Sequence, residues 1–187
     1  GVIWGSISGY YGGKIDMAME RFVEILGAVP TMIVITLLKY HMGGESDVPV
    51  LFISFFATGW IGMAATTRMQ FYRFKNQEYV LAAQATGAKA GWIIKKHLIP
   101  NCISVVIIST ALQIPSAIFT ESYLSFLGLG VNAPMPSLGS LASDALNGIS
   151  SYPYRLVIPA IAISLIVLSL TLFGDGLRDA FDPKLKN

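Results

Sequence analysis

Two uncharged stretches constrain the fold of this chain more than any other feature. Residues 48–67 and 98–120 contain no Asp, Glu, Lys or Arg. Each is about as long as the roughly 20 residues that an α-helix needs to cross a bilayer. A polar segment, residues 68–101, lies between them and is named the basic loop here. This pattern predicts two membrane-spanning helices joined by a loop outside the hydrocarbon core.

The rest of the chain has the same character. Charged residues make up 13% of it, against roughly 25% in soluble domains, and hydrophobic residues make up 53%. We therefore expect an all-α, polytopic helical membrane protein of about five spans. The expected spans are residues 1–13 (the end of one), 22–40, 48–67, 98–120 and 156–174.

The distribution of positive charge predicts the orientation. The basic loop holds six of the 13 Lys and Arg residues and one acid, Glu78. When the expected spans alternate across the membrane, 11 of the 13 basic residues fall on the side of this loop. Only Lys39 and Arg155 fall on the other. Cytoplasmic loops are enriched in Lys and Arg, so the basic loop and the C-terminal tail are expected in the cytoplasm.

The basic loop has a readable order. Asn76 is the expected N-cap of a first short helix, and Glu78 falls in its first turn, where the helix dipole favours an acid. One face of this helix carries, at i, i+3, i+4 and i+7, the residues Tyr79, Ala82, Ala83 and Thr86. Three of these side chains are small, so another surface could approach this face closely.

A glycine is expected to end that first helix. Gly87 suits the left-handed position just past a helix end. A second short helix, residues 88–98, is expected to stop before Pro100, since the residue preceding a proline avoids the α region. The simplest alternative is an ordinary basic loop that only fixes the orientation in the membrane.

Other segments give narrower expectations. The chain opens at Gly1 in an apolar stretch that looks like the end of a span, so the preceding part is expected to be missing. There, Gly5 and Gly9 have a GxxxG spacing, which can let helices approach closely, but in so short a segment an ordinary packing role is expected. Residues 14–21 look like a polar connection. Pro30 is expected to kink the next span.

Two further features complete the order of the chain. Glu24 is expected at the membrane interface or against another helix, in preference to a proton relay. Residues 121–155, named the outer segment here, are apolar but broken by Gly and Pro, which excludes one continuous helix. A re-entrant or surface-lying segment at the non-cytoplasmic face fits this composition.

Little in the sequence indicates chemistry of its own. Cys102 is the only cysteine, which excludes a cysteine-based metal cluster and favours packing. The run Gly12-Gly13-Lys14 lacks the Ser or Thr that a phosphate-binding loop needs after its Lys. A net charge of +2 does not indicate nucleic-acid binding. We expect no enzyme active site, no metal and no bound cofactor, and therefore a conduit.

A conduit that works uphill needs an energy source. A secondary transporter would use an ion gradient and should show ionisable residues at mid-membrane or repeated halves. The three cleanest spans show no such residues, which favours ATP hydrolysis by a partner. A non-transporting anchor would have no reason for kinked spans and small-residue helix faces.

Several stretches together resemble one family. Residues 78–87 and 95–101 (EYVLAAQATG and KKHLIPN) resemble the EAA loop of ABC importer permeases, and more narrowly the dipeptide, oligopeptide and nickel branch. Residues 9–13, 121–130 and 174–183 are similar to that branch too, so the resemblance covers nearly the whole chain. In one departure, Leu81 stands where the EAA triplet has its glutamate.

The resemblance implies a single transmembrane domain, residues 1–187, with the fold of type I ABC importer permeases in a bacterial inner membrane. The basic loop would carry the helix that couples this chain to an ATPase. The coupling residues it implies are Glu78, Tyr79, Ala82, Ala83, Gly87 and Pro100. ATP would be used by the partner alone.

The resemblance also implies the other partners. These are a second homologous permease subunit, two ATPase subunits, an extracytoplasmic solute-binding protein and the surrounding lipid, with no nucleic acid. The outer segment would face the binding protein through Asp144 and Arg155. The implied function is import of di- and oligopeptides, with a nickel or metal-chelate importer of the same branch as the alternative.

Overall fold

The computed structural model describes residues 1–42, 48–131 and 135–181, and every regular element in these ranges is helical. This confirms the all-α fold. In chain order the helices are α1 Val2–Tyr11, α2 Gly13–Ala28, α3 Thr31–Met42, α4 Val48–Thr58, α5 Trp60–Phe74, α6 Glu78–Ala85, α7 Ala90–Ile93, a π-helical turn Ile94–Leu98, α8 Ile99–Phe126, α9 Leu138–Ala145, a 3-10 turn Leu146–Gly148 and α10 Tyr154–Phe181.

The chain divides into two compact units, each described separately below. The first comprises Gly1–Val29 and Thr58–Thr110. The second comprises the described residues of Pro30–Ala57 and Ala111–Asn187. The expectation of a single transmembrane domain stays a prediction.

Within the described ranges, three helical stretches are long and apolar enough to cross a membrane. They are Val48–Phe74, Ala90–Phe126 and Tyr154–Phe181, of 27, 37 and 28 residues. A fourth candidate is the pair of α2 and α3, which are bent by 69° relative to each other. The remaining expected span, residues 1–13, corresponds to α1, whose ten residues fall short of the usual spanning length.

The region around the second expected span, residues 22–40, differs from expectation. Residues 14–21 are not a polar connection, because they belong to the continuous helix α2. The kink expected at Pro30 is a full break: Val29, which precedes the proline, is extended at φ −82° and ψ 118° and ends the helix. Glu24 pairs with Arg21 of its own helix at 2.5 Å, and both side chains are exposed; its expected place at the membrane interface or against another helix stays a prediction.

Glycines let α1 lie directly against α5 in the first unit. A Cβ added at Gly5 would lie 2.8 Å from the Cβ of Thr67, and one at Gly9 would lie 2.6 Å from the Cβ of Phe71. Both distances are far below an ordinary van der Waals contact. The GxxxG spacing therefore marks a close helix–helix contact, which is more than the ordinary packing role expected from so short a segment.

The second unit is built around the end of α8. Ile35, Leu51 and Leu124 form its buried cluster. After α8 the chain makes a Schellman turn: the amide of Gly128 donates to the carbonyl of Ser125, and the amide of Leu129 donates to that of Leu124. Gly128 has φ +76°, which glycine adopts without strain.

Two side chains hold the segment after this turn. Lys39 Nζ donates to the carbonyls of Gly128 and Gly130, at 3.2 and 3.1 Å. Ser125 Oγ donates to Glu121 at 2.7 Å and accepts from the amide of Val131 at 3.0 Å. The outer segment is thus not one helix, as expected from its composition.

Candidate functional site

The basic loop is folded around its own apolar core. Phe71 of α5, Val80 and Ala83 of α6, Ile93 of α7, and Leu98 and Cys102 form one buried cluster. Cys102 is 1% exposed, which confirms the packing role. Part of the expected loop is helical: residues 68–74 are the last turns of α5. The two short helices are therefore fixed to the spans on either side.

The first short helix begins one residue later than expected. Gln77, with extended backbone at φ −72° and ψ 149°, is the N-cap, and no side chain caps the helix. The Asn76 prediction is wrong because the turn after α5 continues through that residue. Glu78 lies in the first turn, as expected.

Gly87 ends this helix as expected. Its φ is +81°, its amide donates to the carbonyl of Gln84, and the next amide, that of Ala88, donates to the carbonyl of Ala83 at 3.0 Å. This is a second Schellman turn. Ala88 packs against the buried cluster that contains Ala83, so the glycine turn directs the chain back onto the core.

An open pocket of about 650 Å³ lies between the two short helices. It is named the loop pocket here. It contains the whole face expected from the spacing of α6, together with residues after the glycine turn. Its lining residues are Tyr79, Ala82, Ala83, Thr86, Gly87, Ala88, Lys89, Trp92 and His97.

The loop pocket is lined by aromatic rings and by residues with small side chains. The His97 ring lies 4.9 Å from that of Trp92 and 6.0 Å from that of Tyr79, measured between centroids. Burial raises the pKa of the Tyr79 hydroxyl, which keeps the phenol neutral. Ala82 is exposed, whereas Ala83 is 8% exposed and belongs to the core. Only Ala82 is therefore available to a second surface without rearrangement.

The second short helix does not stop before Pro100, contrary to expectation. Helix continues from Ala90 to Phe126, and Ile99 itself is helical at φ −56° and ψ −48°. The amide of Ile99 donates to the carbonyl of Ile94, as in a π-helix. This wider turn leaves room for the ring of Pro100, which would clash in a regular α-turn. Asn101 Nδ2 donates to the carbonyl of His97 at 2.6 Å.

Two predicted coupling residues lie outside the pocket lining. Pro100 is exposed and follows the π-helical turn. Glu78 is exposed at the start of α6. Leu81, which replaces the glutamate of the EAA triplet, is 49% exposed on α6 and does not line the pocket. The structure thus gathers Tyr79, Ala82, Ala83 and Gly87 in one concavity.

A buried polar cluster next to the basic loop was missed by sequence reasoning. Asp16 of α2 is 7% exposed and accepts hydrogen bonds from four donors. These are Ser8 Oγ of α1, Arg68 Nε at 2.5 Å, Arg68 Nη2 at 2.6 Å and Tyr72 Oη at 2.7 Å. No spacing rule relates residues that are 52 positions apart in the chain.

The same cluster fixes the start of the basic loop. Lys75 Nζ donates to the carbonyl of Gly9 at 3.0 Å and lies 4.0 Å from the centroid of the Tyr72 ring. The end of α5 is therefore bound to both α1 and α2 by charged hydrogen bonds, which are the strong ones.

Both predicted outer-face residues are exposed. Asp144 lies near the end of α9, and Arg155 lies in the first turn of α10 with its guanidinium 5.0 Å from the centroid of the Tyr152 ring. Ser137 and Ser140 form a reciprocal capping box at the start of α9. Among the described residues, no group of three or more His, Cys, Asp or Glu could hold a metal ion.

Comparison with known proteins places these features in a family. The family model described as "Binding-protein-dependent transport system inner membrane component" matches residues 1–187. The chain is 46% identical over 186 residues to the oligopeptide transport system permease protein OppC of Bacillus subtilis, covering 100% of this chain and 60% of that protein. It is 46% identical over 187 residues to the dipeptide transport system permease protein DppC of Bacillus subtilis, covering 100% and 58%.

A third relative is the dipeptide transport system permease protein DppC of Lactococcus lactis, 42% identical over 184 residues, which cover 98% of this chain and 53% of the relative. The chain thus spans little more than half the length of the curated relatives it matches. The match along the whole chain confirms the resemblance seen in the sequence. The chain belongs to the family of binding-protein-dependent transport system inner membrane components, and it is an integral membrane protein.

Proposed function

We propose that this chain is the permease subunit of an ATP-driven importer of di- and oligopeptides and forms part of its translocation pathway. The similarity to oligopeptide and dipeptide transport permeases over the whole chain carries this proposal. The chain itself binds no cofactor in this scheme, and a separate ATPase subunit hydrolyses ATP.

The loop pocket is the proposed docking site for that ATPase. It is open and is lined by aromatic rings and alanines. It can therefore receive side chains of a partner without large rearrangement. The buried cluster beneath it connects α6 to both α5 and α8. A force applied at the pocket would therefore reach the spanning helices directly.

The orientation and the remaining partners follow from the same proposal. The basic loop and the C-terminal tail face the cytoplasm, where the ATPase is. A second homologous permease subunit completes the pathway within the lipid. An extracytoplasmic solute-binding protein delivers peptide at the outer segment, where Asp144 and Arg155 are exposed.

The matched pair Ala82→Arg and Ala85→Arg tests the docking site. Both alanines are exposed on α6, but only Ala82 lines the loop pocket. In the complete transporter reconstituted in proteoliposomes, Ala82→Arg should abolish peptide uptake and reduce the amount of ATPase that co-purifies. Ala85→Arg should leave both near wild type.

Equal effects of the two substitutions would contradict the assignment of the pocket. Uptake measured against a panel of short peptides and nickel tests the substrate class separately. Nickel uptake without peptide uptake would overturn the peptide proposal and leave the docking site untouched.

A further inference from the structure

A groove between α8 and α10 in the second unit has no role in the function proposed so far. Its volume is about 430 Å³. Beside it, α8 and α10 are in contact, since a Cβ added at Gly174 would lie 2.7 Å from Leu112 Cδ2. The residues that matter below are Ser116, Phe119 and Thr120 of α8, and Val167 and Thr171 of α10.

A polar face on α8 adjoins this groove. Gln113, Ser116 and Thr120 follow one another at i, i+3 and i+7, which places them on one side of the helix. Gln113 lies 17 residues after Lys96 and 8 before Glu121, or about 25 and 12 Å along the axis. It is therefore well inside the apolar span, and its side chain is exposed.

Lipid cannot satisfy such a face. Hydrocarbon offers no hydrogen-bond partners, and polar side chains within spans face a neighbouring helix or a water-filled cavity. In the part of the chain that the structure describes, the side-chain amide group of Gln113 has no hydrogen-bond partner within the unit. The next residue, Ile114, is 50% exposed and lies about 100° further around the helix, so an apolar face lies beside the polar one.

The hydroxyl groups of the groove offer a ligand hydrogen-bond acceptors rather than donors. Ser116 Oγ donates to the carbonyl of Leu112 at 3.3 Å, and Thr120 Oγ1 donates to that of Ser116 at 2.7 Å. Across the groove, Thr171 Oγ1 donates to the carbonyl of Val167 at 2.7 Å. Each hydroxyl has thus used its single proton and retains lone pairs.

The backbone adds one more acceptor. Pro115 has no N–H, so the carbonyl of Ala111 lacks its usual helical donor. The remaining walls, including Phe119 and Val167, are apolar, and among the described residues no charged side chain lines the groove. The complementary ligand is rich in N–H donors, uncharged along its middle and apolar in its side chains. A peptide with apolar side chains has these properties.

We propose that Gln113, Ser116 and Thr120 line the solute path, where they accept hydrogen bonds from the N–H groups of a passing peptide. This inference rests on the proposed import of peptides. It adds the residues that contact the peptide within the membrane. Gln113 also donates, through its amide, to peptide carbonyls.

Cysteine accessibility tests the proposal in the complete transporter in proteoliposomes. In a Cys102→Ser background, Gln113→Cys is compared with its neighbour Ile114→Cys, using a small charged methanethiosulfonate reagent. We expect Gln113→Cys to react at least about tenfold faster than Ile114→Cys, and trialanine supplied with the binding protein and ATP to slow its reaction. Equal rates, or no protection while trialanine is being transported, would overturn the inference.

Two further readouts separate the possible failures. If Gln113→Cys reacts in the isolated permease chain but is shielded in the complex whether or not peptide is present, a helix of the second permease covers this face and the inference is wrong. Gln113→Leu should raise the KM for trialanine uptake about 2- to 10-fold, the loss expected for one hydrogen bond. An unchanged KM contradicts the inference, whereas absence of peptide uptake by the unmodified transporter contradicts the proposed function instead.

Discussion

Removal of the Asp16 carboxylate should destabilise the first unit more than any other single change near the basic loop. The Arg68 side chain is only 27% exposed. Asp16→Ala leaves its guanidinium group without the acceptor of its two shortest hydrogen bonds. Ser8 and Tyr72 lose their acceptor as well. Breaking a buried pair by removal of one partner costs about 3–5 kcal/mol. The low end, about 3 kcal/mol, is expected here because Glu20 Oε1 still lies 3.4 Å from Arg68 Nε.

That cost can be compared with two smaller ones. Tyr72→Phe removes one hydrogen bond to a charged group, which costs about 1.5–3 kcal/mol. Glu24→Gln breaks a pair whose Arg21 and Glu24 side chains are 71% and 56% exposed, and should stay within about 1 kcal/mol of wild type. A change of 1 kcal/mol lowers Tm by about 2–4 °C in a chain of this size. Asp16→Ala should therefore lower Tm by about 6–12 °C.

Cys102 provides the assay. It is the only cysteine, it belongs to the first unit and it is 1% exposed. A fluorogenic maleimide that reacts with it on heating in detergent reports unfolding of that unit. The reasoning is refuted if Asp16→Ala unfolds within 2 °C of wild type, or if Glu24→Gln lowers Tm as much as Asp16→Ala does.

Three other outcomes are expected. Gly87→Val places a β-branched residue at a left-handed φ, which costs about 1–2 kcal/mol and should impair ATPase docking. Gly91→Ala, whose Cβ meets open space, is its control and should bind ATPase normally in the same pull-down. Gly5→Leu should lower the Tm followed through the buried thiol, because the contact of α1 with α5 leaves no room for a side chain. Asp144→Lys and Arg155→Glu should reduce the ATPase activity stimulated by the binding protein more than they reduce ATPase binding, and unchanged stimulation would remove the support for the outer-face assignment.

Local rules are enough for the exposed face of α6 and for the glycine turn that ends it. The spacing of Tyr79, Ala82 and Thr86 predicted the face that lines the loop pocket. The glycine stop at Gly87 was predicted from chain chemistry alone and is confirmed by its φ of +81°. The GxxxG spacing at the start of the chain is a weaker signal in so short a segment, and the glycine contacts show a closer helix approach than the ordinary packing expected there.

Three of the failures come from tertiary contacts and from a rare turn, whereas the shifts at Asn76, residues 14–21 and Pro30 are errors in helix boundaries. Nothing in the order of residues links Asp16 to Arg68, so the polar cluster could not be predicted. Ala83 shares the face of Ala82, but the core behind α6 buries it, and periodicity alone does not distinguish the two. The helix continues past Pro100 because a π-turn precedes it, and π-turns have no sequence rule comparable to a cap.

Site-specific photo-crosslinking in intact cells tests the docking of an ATPase in the loop pocket most directly. A benzophenone amino acid is placed at Ala82, in the pocket, and at Ala85, on the same helix but outside the pocket lining. The account predicts a crosslink from position 82 to an ATP-hydrolysing subunit in the cytoplasm and a much weaker one from position 85. A crosslink from position 82 to an extracytoplasmic protein, or an ATPase captured from position 85 alone, would contradict it.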